Sequence, residues 1–191
     1  ALNTSTGLGV GSISLAFAFG QLWWGLTQPF AGAFADRVGA GRVLFIGVAL
    51  VAIGTFITPF MTTTAGLIFA IGVLAAGGAG MAGPAVLMAA TARLIPVDKR
   101  GMATGIINAG GSFGQFLMVP VEGFLITSLG WQQALLVLSA MVLLIVPLAF
   151  WLREPRFAGV APVERTQGIG AALSEALRYR SFLLLTAGYF V

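Results

Sequence analysis

The chain contains no cysteine and no histidine among its 191 residues. Without cysteine it has no disulfide, no thiolate nucleophile and no Cys-ligated metal site, and without histidine it lacks the commonest general base. The 6 Asp and Glu side chains are then the only carboxylates available for acid–base chemistry. These absences argue against an enzyme, and we expect neither a cofactor nor a bound metal ion.

Charge is scarce as well. Only 8% of the residues are charged and 58% are hydrophobic, whereas soluble domains average about 25% charged residues. Most of this chain therefore cannot face water. The net charge of +4 could suggest nucleic acid, but basic residues this sparse in so apolar a chain indicate orientation in a membrane. We expect a lipid bilayer as the partner, and no nucleic acid.

Apolar stretches of about 20 residues predict membrane-spanning helices. The predicted fold class is an all-α membrane protein, with spans at about residues 10–35, 43–60, 65–91, 102–126 and 131–151. Residues 1–152 then form a transmembrane bundle. Residues 153–180, where Pro, Gly and charge return, form a cytoplasmic linker, and residues 181–191 are the truncated start of a further span.

The positions of the basic residues predict the topology. When the chain changes side at each span, all 10 Lys and Arg residues fall on one side of the membrane. The opposite connections, residues 60–65 and 127–131, carry no charge. The positive-inside rule makes the basic side cytoplasmic and places Ala1 outside.

Polar side chains within the first and fourth spans are candidate cavity-lining residues. Their spacing places each set on one face of a helix: Gln21, Trp24 and Gln28 in the first span, and Asn108, Ser112, Gln115 and Glu122 in the fourth. In lipid such groups line water or bond to neighbouring helices, and the sequence leaves both interpretations open.

Glu122 is the only ionisable side chain within a predicted span. A carboxylate at the bilayer centre costs about 2.5–3.5 kcal/mol on insertion scales. Because Glu122 lies nearer the outer end of its span than the middle, a solvated carboxylate and a titrating group in a transport path both remain possible.

Glycine is concentrated in the third and fourth spans. The third contains Gly77, Gly78, Gly80 and Gly83 before Pro84, and the fourth has G-x-x-x-G spacings at Gly101/Gly105 and Gly110/Gly114. Such spacings allow helices to approach closely. Static packing and helices that slide or bend fit this pattern equally well.

The first charged turn carries a motif. Residues 32–42 read GAFADRVGAGR, which resembles the G-x-x-x-D-R-x-G-x-x-R signature that major facilitator superfamily (MFS) transporters carry between their second and third helices. The resemblance covers essentially the whole chain, as helices two to six and the start of helix seven. It implies an incomplete chain: the N-terminal bundle of a twelve-helix secondary transporter that lacks helix one and works by alternating access. It assigns a conformational switch to Gly32, Asp36, Arg37, Gly39 and Arg42.

A second resemblance concerns the branch of the family. Residues 100–105, then Gly114-Gln115, Pro120 and Gly130-Trp131, are similar to the bacterial monocarboxylate and oxalate/formate porters. Proton-coupled drug antiporters instead carry an Arg in helix four and a G-P-x-x-G-G motif in helix five, and this sequence has neither. The resemblance implies transport of small organic anions such as monocarboxylates, together with the missing C-terminal half and a possible co-transported ion, by a multi-pass protein of the bacterial inner membrane.

Alternatives remain open at this point. The first is an MFS exporter of drugs or other metabolites, and the others are a membrane-embedded enzyme or a scaffold. The sequence leaves the substrate, the coupling ion and the direction of transport undetermined.

Overall fold

The computed structural model describes residues 8–151, 174–175, 177–181 and 183–184. The chain divides into two compact units, Ala1–Glu154 and Pro155–Val191, and each is treated by itself. Most of the predicted linker, and most of the predicted start of a further span, lie outside the described residues.

Helices account for nearly all of the described part of the first unit. They are α1 (Val10–Val38), α2 (Ala40–Ile57), α3 (Thr64–Leu67), α4 (Ala76–Met81), α5 (Pro84–Leu94), α6 (Arg100–Leu129) and α7 (Trp131–Trp151). Short 3-10 turns follow α2 at Thr58–Phe60 and precede α6 at Val97–Lys99, and a π-helical segment, Ile68–Ala75, joins α3 to α4.

Two of the turns between helices depend on glycine. Gly39, between α1 and α2, has a φ of 95°, and Gly130, between α6 and α7, has a φ of 83°. Side chains with a Cβ rarely adopt such positive φ values. Each glycine therefore ends one helix and allows the next to begin without a longer loop.

The third predicted span is one apolar stretch built from several helical pieces. It begins where the Thr63 hydroxyl accepts a hydrogen bond of 3.1 Å from the Gly66 backbone N–H, widens into the π-helical segment, and breaks after Met81. Helix α5 then restarts at Pro84. A proline fits the first turn of a helix because it has no backbone N–H to leave unbonded.

The core of the bundle lies where the third span meets α1 and α2. Small and branched residues pack together there: Ala31, Ala35, Ala40, Val43, Leu44 and Val86. Helix α2 also packs along α7. Burial of the apolar core side chains, at about 25 cal/mol per Å² of area removed from solvent, holds α1, α2 and the third span together.

Glycines bring α2 and the third span into backbone contact. A Cβ on Gly78 would lie 2.5 Å from the Gly47 carbonyl oxygen and 2.7 Å from the Val51 nitrogen. One on Gly54 would lie 2.6 Å from the Ala75 nitrogen. No side chain fits at those distances, so this packing requires glycine.

Helix α6 is the exception in the bundle. It packs on α5, on Val97–Lys99 and on α7, and nearly all of its side chains are exposed. Three helical stretches of the described chain are long and apolar enough to cross a membrane: Ala40–Phe60, Thr64–Met88 and Val97–Leu129. Helix α7 contributes a shorter apolar stretch, Trp131–Pro147. An apolar helix this exposed needs lipid or further protein around it.

Candidate transport site

The candidate residues of α1 lie along a largely open face of that helix. Gln21 and Trp24 are exposed and Gln28 is half-buried. Ser14 and Gly25 belong to the same face, because they lie seven residues before and four residues after Gln21. Neither was selected from the sequence, although this spacing was a signal that could have identified both.

The two adjacent tryptophans of α1 have different surroundings. The Trp23 ring stacks on Phe19, with centroids 6.3 Å apart and planes at 12°. A Cβ on Gly77 would lie 2.7 Å from the Trp23 Nε1 atom. Trp23 therefore packs against the third span, and Trp24 lies nearer the polar face.

The candidate residues of α6 also share one face, as their spacing predicts. Four are exposed: Asn108, Ser112, Gln115 and Glu122. Bulky apolar side chains, including Met102, Ile106, Phe113, Phe116 and Phe124, occupy another face and are exposed as well. The polar face and the apolar face therefore suit different environments, and the apolar face fits acyl chains.

Hydroxyl side chains in the bundle mostly bond within their own helices. Thr27 donates to the Trp23 carbonyl oxygen at 2.6 Å, Thr58 to that of Gly54 at 2.7 Å, and Ser139 to that of Leu136 at 2.8 Å. Backbone carbonyls of the preceding turn commonly accept such bonds. These hydroxyls need no further partner in the membrane.

The amide side chains of the candidate residues, unlike these hydroxyls, do not bond within their own helices. Within the described part of the chain, Gln21, Gln28, Asn108 and Gln115 make no side-chain hydrogen bond. An unsatisfied amide in hydrocarbon costs several kcal/mol. Water, a solute or another helix must therefore complete the hydrogen bonds of these four residues.

Glu122 is the one ionisable side chain among the candidate residues of α1 and α6. Glu122 has no hydrogen-bond or ion-pair partner among the described residues. It precedes the end of α6 at Leu129 by seven residues, or about 10 Å along the axis at 1.5 Å per residue. The predicted spans contain no Lys or Arg. The candidate faces of α1 and α6 therefore offer neutral hydrogen-bonding groups and one carboxylate.

The turn that carries the sequence motif, residues 36–42, joins α1 to α2. The Gly39 backbone N–H donates to the Ala35 carbonyl oxygen at 2.9 Å, and Arg37 and Arg42 are exposed. Gly32 has open space where a Cβ would stand, and the side chain of Asp36 lies outside the described part. Neither guanidinium bonds to another described residue, which leaves both available to other parts of the protein.

The second unit holds none of the candidate residues. It has an open groove of about 440 Å³ lined by Ser174, Glu175, Arg178 and Tyr179. Its described lining residues are exposed, so the groove is a solvated surface feature.

Comparison with known proteins finds relatives that include several named as transporters. Monocarboxylate transporter 11 of Mus musculus is 28% identical over 171 residues, which are 86% of this chain and 38% of that protein. The probable sulfoacetate transporter SauU of Cupriavidus necator is 29% identical over 72% of this chain and 31% of its own length. The methyl viologen resistance protein SmvA of Salmonella typhimurium is 33% identical over 65% of this chain and 25% of its own length.

This chain spans well under half the length of those relatives. The family description "Major Facilitator Superfamily" matches residues 1–191, the entire sequence. The helical architecture agrees with that match, because the described residues of the first unit form long apolar helices joined by short turns. The chain therefore belongs to the major facilitator superfamily of membrane transporters.

Proposed function

We propose that this chain is most of the N-terminal half of a secondary transporter that moves small organic anions by alternating access. The observation that carries the proposal is the set of amide side chains on α1 and α6 that have no partner within the described residues. Amide side chains within membrane helices face a hydrated path, a ligand or a neighbouring helix, and the first two of these surroundings are those of a transport path. Gln21, Trp24 and Gln28, with Asn108, Ser112, Gln115 and Glu122, then line one side of that path.

An anionic substrate is supported by the names of the relatives. Monocarboxylates and sulfoacetate are small anions, and proteins named for their transport align with most of this chain. Amide N–H groups can donate to a carboxylate, but they do not neutralise its charge. The compensating cation would come from the C-terminal half, since the spans of this chain contain no Lys or Arg.

The turn at residues 36–42 supports the alternating-access part of the proposal. Exposed Arg37 and Arg42 can each donate several hydrogen bonds to carboxylates or helix ends of the opposite half. Such contacts stabilise one state and break in the other. The five motif residues Gly32, Asp36, Arg37, Gly39 and Arg42 therefore act as the switch in this proposal.

A second candidate function is export of drugs or other metabolites. Two observations favour it: the similarity to a protein named for methyl viologen resistance, and Glu122, a carboxylate that suits a positively charged solute. The absence of a basic residue in residues 65–91 weighs against it, because the drug antiporters described above carry an Arg in helix four.

The proposal also includes the membrane in which the protein lies and the ion that moves with the substrate. The positive-inside rule supports a cytoplasmic location for Arg37 and Lys99, and we propose that the protein is a multi-pass component of a bacterial inner membrane. An ion that moves with the anion would bind in the same path, with Glu122 as its ligand or proton acceptor.

Counterflow in proteoliposomes tests the proposed function. The full-length transporter is reconstituted into vesicles loaded with unlabelled lactate, oxalate or methyl viologen, and entry of the labelled compound is followed. We expect transient accumulation of a labelled carboxylate in vesicles loaded with the same carboxylate. Accumulation of methyl viologen alone would support the exporter, and chemical conversion without exchange would indicate an enzyme.

A further inference from the structure

Trp24 is the central residue of α1, which runs from Val10 to Val38. At 1.5 Å per residue it lies about 21 Å from either end of the helix. Tryptophan in membrane proteins concentrates instead at the two interfaces, where its ring lies in lipid and its N–H reaches water. A tryptophan in the middle of a spanning helix therefore needs another explanation.

Packing explains the neighbouring tryptophan but not Trp24. The two side chains are similarly exposed, Trp23 by 37% and Trp24 by 39%. The Trp23 ring, however, stacks on Phe19 and lies against Gly77 of the third span. Among the described residues, the Trp24 ring has no aromatic neighbour and its indole N–H has no hydrogen-bond acceptor. The Trp24 ring is therefore available to a solute, whereas the Trp23 ring already has a packing role.

The backbone that carries Trp24 is held in place by the third span. A Cβ on Gly80 would lie 2.9 Å from the Trp24 carbonyl oxygen and 3.0 Å from the Cβ of Thr27. The two helices thus meet at backbone distance at this level. An indole on a fixed backbone loses little conformational freedom when a solute binds, because its side chain has only two rotatable bonds. Gly80 therefore helps to preorganise the ring.

Amide groups lie one turn to either side of this ring. Gln21 precedes Trp24 by three residues and Gln28 follows it by four, so the three side chains share a face of α1. Amide N–H groups donate hydrogen bonds to a carboxylate, and an indole favours offset stacking with another flat ring. An indole between two amides suits a carboxylate attached to a flat, apolar body.

We propose that Trp24 is a substrate-binding residue that makes this transporter prefer carboxylates with a planar, apolar body, such as arylcarboxylates, over small hydrophilic ones. The substrate ring stacks on the indole, and its carboxylate accepts hydrogen bonds from Gln21 or Gln28. The inference rests on the proposed function, which supplies the anionic substrate. Cations also bind to indole faces, but α1 has no carboxylate within two turns of Trp24 to accompany one.

Binding of matched ligands to the purified full-length transporter tests the preference without a transport assay. Benzoate has a flat ring, cyclohexanecarboxylate has a puckered ring with the same number of carbons, and lactate has none. We expect the Kd of benzoate to be about tenfold below that of lactate and about fivefold below that of cyclohexanecarboxylate, as a favourable aromatic pair would give. Cyclohexanecarboxylate is the matched control, because burial of apolar area alone would favour it.

Substitution of Trp24 assigns the preference to this residue. Trp24→Leu keeps an apolar side chain but removes the ring, and we expect the ratio of the lactate Kd to the benzoate Kd to fall about tenfold. Trp24→Phe retains a ring and should keep most of that ratio. Trp23→Leu is the matched control: it removes an indole that packs on Phe19 and Gly77. It should lower the thermal midpoint and leave the ratio unchanged.

The possible outcomes distinguish this inference from the proposed function. Equal Kd values for lactate and benzoate, or tighter binding of cyclohexanecarboxylate than of benzoate, would overturn the role of Trp24, while counterflow of lactate would still support the proposed function. A ratio unchanged by Trp24→Leu, or lowered equally by Trp23→Leu, would also overturn that role. Binding of methyl viologen and of none of the carboxylates would overturn both. The ligand series uses the unaltered protein, so it decides the matter even if Trp24→Leu does not fold.

Discussion

Gly39 sets the backbone conformation of the turn between α1 and α2. Its φ of 95° and ψ of 140° lie in a region that glycine occupies freely and other residues occupy only under strain. The resemblance to the family signature places a glycine at this position, and the backbone supplies the physical reason for it.

Gly39→Ala should destabilise the protein by about 1–3 kcal/mol, since a Cβ makes this backbone conformation strained. The measurement is the thermal midpoint of the purified full-length transporter. Gly123→Ala is the control, because Gly123 lies within α6 with open space around it. A midpoint for Gly39→Ala equal to that of the control would show that the turn does not need this conformation.

Substitution of Gln115 tests whether the amide side chains on α6 contribute to transport. Gln115→Leu removes hydrogen-bonding groups that have no partner in the described chain and should leave folding intact. Loss of one substrate hydrogen bond, about 1.4 kcal/mol, corresponds to a tenfold lower kcat/KM for transport.

Phe116→Leu is the matched control for that experiment. Phe116 is adjacent in sequence, exposed, and on the apolar face of α6, so its replacement should leave kcat/KM nearly unchanged. An unchanged kcat/KM for Gln115→Leu, measured at a normal thermal midpoint, would remove Gln115 from the transport path.

The packing of the third span against α2 depends on the glycine at position 78. Gly78→Ala places a methyl group against the backbone of α2, where Gly47 and Val51 cannot move independently. Gly77→Ala meets only the Trp23 side chain, whose ring can shift. We expect Gly78→Ala to cost about 1–3 kcal/mol through overpacking, and Gly77→Ala to cost less, as measured by the two thermal midpoints. The reverse order would contradict the contact between α2 and the third span.

Sequence patterns predicted the elements better than their contacts. Apolar runs between charged turns predicted an all-α protein of long apolar helices, because a membrane span needs about 20 such residues. The G-x-x-x-G spacing in α6 looked equivalent to the glycines of the third span, yet Gly78 is in backbone contact and Gly114 is open. Spacing gives the face on which a glycine lies, and only the neighbouring helix decides whether that face is filled.

Two features of the third span, its restart at Pro84 and its π-helical segment, are harder to predict from the sequence than the helices themselves. The restart of the helix at Pro84 follows from the missing N–H of proline, which suits the first turn of a helix. The π-helical segment Ile68–Ala75 has no such marker, since it is a plain apolar run with a single glycine. Backbone hydrogen-bond registers of this kind arise from packing and cannot be read from residue types.

The distribution of charge makes a prediction for the whole molecule. All 10 Lys and Arg residues of this chain should lie at the cytoplasmic face, since basic loops are retained inside. A cysteine at Lys99 should react with a membrane-impermeant maleimide only after the cells are opened. One at Thr62, in the uncharged turn after α2, should react in intact cells, and the opposite pattern would invert the topology.

In the proposed mechanism, the polar faces of α1 and α6 line a path that opens alternately to the two sides of the membrane. The most direct measurement uses a cysteine in place of Gln115 in the full-length protein, with an impermeant thiol reagent applied from either side of oriented vesicles. We expect reaction from both sides, slowed by bound substrate, and little reaction for a cysteine in place of Phe116. Reaction at 115 from one side only under all conditions, or from neither side, would contradict it.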